Sequence, residues 1–127
     1  MSRGLGDVYK RQQYLFAADR MNPALGALLN HWQPALIKSL ARIASGAKAA
    51  GISSGVCGES ASDPAFAVVL AGLGMDSVSV SKSQVTAVHN ALSSLSLADA
   101  KEVANAVLKE TTAEAAKATA LREIASR

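Results

Sequence analysis

Residues 52–81 read "ISSGVCGESASDPAFAVVLAGLGMDSVSVS", and the order of signals in that run decides the fold. It opens on a short β-like segment, residues 52–57, bounded by Gly51 and Gly58, which predicts a buried strand. "SDPAFAVVLAGLG" then supplies Asp63 as a cap, Pro64 in the first turn and Gly74 as terminator. Between them a helix is predicted, with Phe66, Val69, Leu70 and Leu73 on one face. "DSVSVS" alternates Val78 and Val80 with serines, the period of a strand. Strand, helix, strand is the grammar of a parallel sheet with a right-handed crossover.

Working outward, "QPALIKSLARIASGAKAAG" is opened by Pro34 and closed by Gly51. Leu36, Ile37, Leu40, Ile43, Ala44 and Ala47 recur at three- and four-residue steps, with Lys38, Arg42 and Lys48 on the other side, so an amphipathic helix is expected. Ahead of it, "MNPALGALL" reads as a short helix with Asn22 as cap, Pro23 at its start and Asn30 ending it. "QYLFAADR" reads as extended or loop. Downstream, Val85, Val88 and Leu92 share a helical face. A further helix starts near Leu97, capped by Ser96 with Asp99 three residues on. Its apolar face is Leu97, Ala100, Val103, Ala104, Val107 and Leu108. A last helix begins near Thr112, with Ala116, Ala120, Leu121 and Ile124 inward. The class is α/β. Two strands alone make an unsatisfied parallel sheet, because such sheets are normally covered on both faces and have several neighbours. The chain is therefore expected to be the tail of something larger.

The 127 residues bound the native unit to one small domain, half of it apolar. No apolar run reaches the ~18 residues of a membrane span, and nothing near Met1 resembles a secretory signal. A single cysteine makes no internal disulfide, so a reducing cytoplasm is the expected setting. The net charge of +3 invites a nucleic-acid reading. Its source argues against one: Arg3, Lys10 and Arg11, against Asp7, lie in "SRGLGDVYKRQ" (residues 2–12), without which the charge falls to +1. That stretch resembles the in-frame translation of a transposase sequencing adaptor. It is set aside as foreign, and the native text is taken to begin at Gln13.

Chemistry-bearing residues are few. Cys57 lies at the end of the first strand, where reacting groups sit in parallel α/β folds. Gly55 and Gly58 would let backbone and ligand approach closely, and Gly58, Glu59 and Ser60 form the loop before the helix. The thiol could be a nucleophile, a metal ligand or a general acid, or it could be only a small buried hydrophobe. A metal site has little support, since His31 and His89 have no ligand spacing to it. A nucleophile usually has a histidine base, and none is local. A general acid needs only a protonated thiol and a basic atom within reach. Arg20 is the second candidate, since a guanidinium can fork two phosphate oxygens; a solvated surface arginine is the plainer alternative.

"AADRMNPAL" and "GVCGESASDPAFAVVLAGLGMDSVSVS" together resemble the carboxyl-terminal part of the phosphoenolpyruvate-utilising enzymes. The likeness runs from Gln13 to about Leu108 and is to the enzyme I branch of the bacterial sugar phosphotransferase system. It implies a (β/α)₈ barrel, binding phosphoenolpyruvate and Mg²⁺, with the last two strands and their helices present here. By that resemblance residues 13–95 are barrel units and residues 96–127 carboxyl-terminal helices. Cys57 would be the proton donor to C3 of the enolate, giving pyruvate. Arg20 would hold the substrate phosphate, and Gly58 and Glu59 would be supporting loop residues. The implied partners are phosphoenolpyruvate, the phosphocarrier HPr and a second copy in a homodimer, with neither nucleic acid nor membrane insertion.

One departure bears on the metal. The family's Asn-Asp pair, whose Asp holds Mg²⁺, falls on Tyr9 and Lys10, inside the foreign stretch. The other carboxylate and the phospho-accepting histidine would lie upstream, so no metal ligand is expected here and the chain alone is expected to be inactive. Two alternatives stand beside this reading. One is a piece of phosphoenolpyruvate synthase or pyruvate phosphate dikinase, and the other is a non-catalytic dimerisation module.

Overall fold

The computed structural model describes residues 30–58 and 60–127. The expected first helix, the "AADR" segment with Arg20, residues 2–12 and Glu59 lie outside the described residues. The described chain runs α1 (Pro34–Ala49), β1 (Gly55–Cys57), α2 (Pro64–Leu73), β2 (Ser77–Ser79), α3 (Val85–Ser93), α4 (Leu97–Leu108) and α5 (Ala113–Ala125). Short 3₁₀ turns at Ser60–Ser62 and Lys82–Gln84 precede α2 and α3.

β1 and β2 pair in parallel, in the register Gly55 with Ser77, Val56 with Val78 and Cys57 with Ser79. The α/β class and the strand–helix–strand order thus match the sequence reading. Each strand is only three residues long. The first begins at Gly55 rather than Ile52, which is exposed. A side chain explains where pairing begins. Ser54 N–H donates to Asp76 Oδ2 at 2.9 Å, and Asp76 N–H donates to the Ser54 carbonyl at 2.9 Å. That two-way clasp joins the chains just before the ladder and takes the place of another rung.

α2 is the centre of the molecule. Asp63 caps it, Pro64 fits its first turn, and Gly74 ends it in the left-handed conformation. The expectation of one apolar face is too narrow: Phe66, Ala67, Val68, Val69 and Leu70 are all buried. Helices α1, α3, α4 and α5 all pack on α2, so it has no solvent face, as a helix apolar all round requires. Trp32, Leu36, Ile37 and Leu40 close the core from the α1 side, and Val103, Ala104, Val107, Ala116 and Ala120 close it from α4 and α5. Each large side chain buried there contributes about 1.5–3 kcal/mol.

The seam between α2 and α4 is tight because Gly72 has no side chain. A β-carbon there would run into the Ala100 carbonyl and stand 2.8 Å from Ala104 Cβ. The capping box of α4 forms as read, with Ser96 Oγ accepting from Asp99 N–H at 3.1 Å. Leu97 is instead 60 % exposed, and Val85 and Leu121 also face water. Leu97 and Val85 are the first residues of their helices, and Leu121 lies within α5 beside the buried Ala120.

Candidate functional site

Cys57 is the last residue of β1, and its thiol is exposed rather than turned into the core. Alternation along the strand causes this: Val56 points inward and is buried, so its neighbour points away. Gly58 follows with φ +103°, a left-handed turn that a residue with a β-carbon enters only under strain. That turn carries the chain off the sheet and into the Ser60–Ser62 turn.

Beside this end of the sheet lies an open cleft of about 450 Å³, lined among the described residues by Gly58, Ser62, Ser79, Val80 and Ser81. Cys57 borders the cleft through Gly58 without lining it. Hydroxyls set the rim. Ser81 N–H donates to Ser62 Oγ at 3.0 Å, which ties the turn after β1 to the chain leaving β2.

The amino terminus of α2 offers no anion site, because Asp63 already fills it. Asp63 Oδ1 accepts from the Ala65 and Phe66 N–H groups at 3.1 and 3.4 Å. Oδ2 accepts from His31 Nε2 at 2.9 Å and from the Trp32 indole N–H at 3.1 Å. The His31 ring lies edge-on to Phe66, with centroids 4.8 Å apart, and Trp32 meets Phe66 likewise at 5.0 Å. Burial pushes the Asp63 carboxyl upward. The hydrogen bond and charge of His31, with the Phe66 N–H and the Trp32 indole, outweigh that and hold it below the ordinary aspartate value.

Of the residues singled out in the sequence, Gly58 lines the cleft and Cys57 precedes it without lining it, while Arg20 and Glu59 lie outside the described residues. Asp63 was legible only as a cap. Its link to His31 and Trp32 was not, since nothing in "NHWQP" signals a partner 32 positions away. No group of three or more His, Cys, Asp or Glu side chains clusters among the described residues. The cleft's described lining, three serines with Gly58 and Val80, includes no carboxylate to suit Mg²⁺. Among the described residues no helix is long and apolar enough to cross a membrane.

Residues 8–97 match the profile of the phosphoenolpyruvate-utilising enzymes, described as the "PEP-utilising enzyme, PEP-binding domain". The chain belongs to that family.

The relatives are more particular. The chain is 42% identical over 120 residues to the phosphoenolpyruvate-protein phosphotransferase of Streptomyces coelicolor, covering 94% of this chain and 21% of that protein. It is 37% identical over 105 residues to that of Haloferax volcanii, covering 82% of this chain and 19% of the relative. A multiphosphoryl transfer protein of Escherichia coli is 35% identical over 92 residues, 72% of this chain and 11% of its own length. The chain thus spans about a fifth or less of the length of these relatives.

Proposed function

We propose that the chain is the carboxyl-terminal part of a phosphoenolpyruvate–protein phosphotransferase, in which Cys57 is the proton donor to carbon. The observation that carries this is the exposed thiol at the carboxyl end of a parallel strand, one residue from an open cleft. A cleft of about 450 Å³ is ample for a three-carbon phosphate ester. In this reading the phosphorus–oxygen bond of phosphoenolpyruvate breaks and the phosphoryl group leaves for a histidine of the whole enzyme. The enolate that remains takes the proton of Cys57 Sγ at C3, giving pyruvate and a thiolate. In reverse, the thiolate removes that proton. The acid has to lie at the face of the enolate carbon, and the carboxyl end of a parallel strand is where reacting groups sit in such folds.

The same reading assigns β1 and β2 as the seventh and eighth strands of a (β/α)₈ barrel, with residues 13–95 as barrel units and residues 96–127 as trailing helices. Arg20 binds the substrate phosphate, the α2 terminus being closed by Asp63. Gly58 and Glu59 support the loop. Mg²⁺, HPr as acceptor, a homodimer and a cytoplasmic setting belong to the whole enzyme, and the described residues supply no ligand set for the metal. Residues 2–12 are taken as adaptor-derived, although the family match begins at residue 8.

The test is deuteration of the pyruvate methyl group in D₂O by the enzyme encoded at the complete locus. The Cys57→Ala variant should lose methyl deuteration and phosphoryl transfer while still binding phosphoenolpyruvate. Retained deuteration would refute the acid role. The 127-residue chain by itself should phosphorylate no HPr.

A further inference from the structure

A helix cap needs one oxygen, and Asp63 gives α2 only Oδ1. Its other oxygen faces away from the helix and is taken by His31 and Trp32, from the segment ahead of α1. Asp63 also ends the turn that begins just past Cys57, and its own N–H closes that turn on the Ser60 carbonyl at 3.3 Å. The connection from β1 to α2 is packed into the core at Ser60 and Ala61, and is held at three further places. The ladder fixes Cys57 against Ser79, Ser62 Oγ takes the Ser81 N–H, and Oδ2 of Asp63 is fastened to His31. Of these three, only the last reaches back to the segment ahead of α1.

We propose that His31 and Asp63 are a positioning pair, which holds the Ser60–Ser62 turn and through it the Cys57 end of β1 in register with the cleft. His31 suits the task because its ring is placed by the core. It packs edge-on to Phe66, which is wholly buried, so Nε2 has little freedom to follow a drifting turn. The carboxylate can only accept, so Nε2 carries the hydrogen. A phenylalanine would keep the ring contact and lose the tether. A glutamine would lose the ring and keep a donor at similar reach. What the pair positions rests on the acid role proposed for Cys57; that it holds the turn does not.

The experiment measures backbone amide exchange and iodoacetamide alkylation of Cys57, both read peptide by peptide, on the enzyme encoded at the complete locus as wild type, His31→Phe and His31→Gln. In His31→Phe, exchange at Gly58 and the Ser60–Ser62 turn should rise about tenfold, with protection at Val103 and Val107 of α4 unchanged. Alkylation of Cys57, read on the peptide that carries it, should quicken several-fold in the same variant. His31→Gln should bring both readouts back to within about threefold of wild type. An unchanged turn, an unchanged alkylation rate, loss of protection throughout the chain, unfolding of His31→Phe, or no recovery with glutamine would each overturn the proposal. Pyruvate deuteration by the whole enzyme is read independently, so the tether and the acid role can fail separately.

Discussion

His31 Nε2 lies 2.9 Å from Asp63 Oδ2, across 32 positions of sequence. The Trp32 indole bonds the same oxygen, so one carboxylate gathers the turn before α1 and the start of α2. Its partners hold the Asp63 pKa below its unfolded value of about 3.9. The stability this adds is complete above that value and is lost as pH falls through the lower folded one. Melting temperature should therefore decline below about pH 4 in the wild type, and the gap between wild type and Asp63→Asn should shrink over the same range. Trp32 is the single tryptophan and is buried, so its fluorescence follows the transition.

Gly72→Ala should destabilise the fold by about 1–3 kcal/mol, because the new methyl group meets the Ala100 carbonyl across the α2–α4 seam. Gly46→Ala is the matched control. It adds the same atoms to α1, where nothing stands within 4 Å, and should raise stability by about 0.5–1 kcal/mol. Urea unfolding of the pair measures both.

Asp76→Ala should cost about 1–3 kcal/mol, since it leaves the Ser54 N–H without its acceptor. Asp76→Asn keeps an oxygen and should recover most of that loss. Ser54 Oγ, by contrast, is buried with no hydrogen-bond partner among the described residues, so Ser54→Ala should be neutral or stabilising by up to about 1 kcal/mol. Chemical denaturation of the three variants separates backbone clasp from side chain.

Gly58→Ala should disturb the cysteine end of the sheet without unfolding the helices. Its φ of +103° costs a residue with a β-carbon about 1–3 kcal/mol. The methyl deuteration rate of the whole enzyme should fall while the α4 amides keep their protection.

The middle of the chain was legible because its signals are local. Asp63, Pro64 and Gly74 mark the ends of α2 by chemistry that acts within one turn. Ser96 and Asp99 do the same for α4. The bracketing glycines put Cys57 at the strand's end, but the segment reads as a buried strand, and the exposure of the thiol was not legible. What escaped was long-range. The full burial of α2 depends on four other helices arriving, and a run such as "AFAVVLAGL" reads alike with one face covered or all of them. The Ser54–Asp76 clasp and the His31–Asp63 pair escaped for the same reason, since a side chain's partner across the fold leaves no periodicity behind. Leu97 and Val85 were misjudged because helical spacing says which face a residue shares, not where along the helix its neighbour stops; Leu121 was misjudged because it borders the buried face at Ala120 without joining it.

The lone thiol also sets a limit on purification artefacts. Cys57 is exposed, and no other residue in the chain can form a disulfide. Air oxidation can therefore link two copies and then has nothing further to join. A band of twice the monomer mass that collapses with dithiothreitol is sulfur-linked; anything heavier on a sizing column is held by non-covalent contacts between chains.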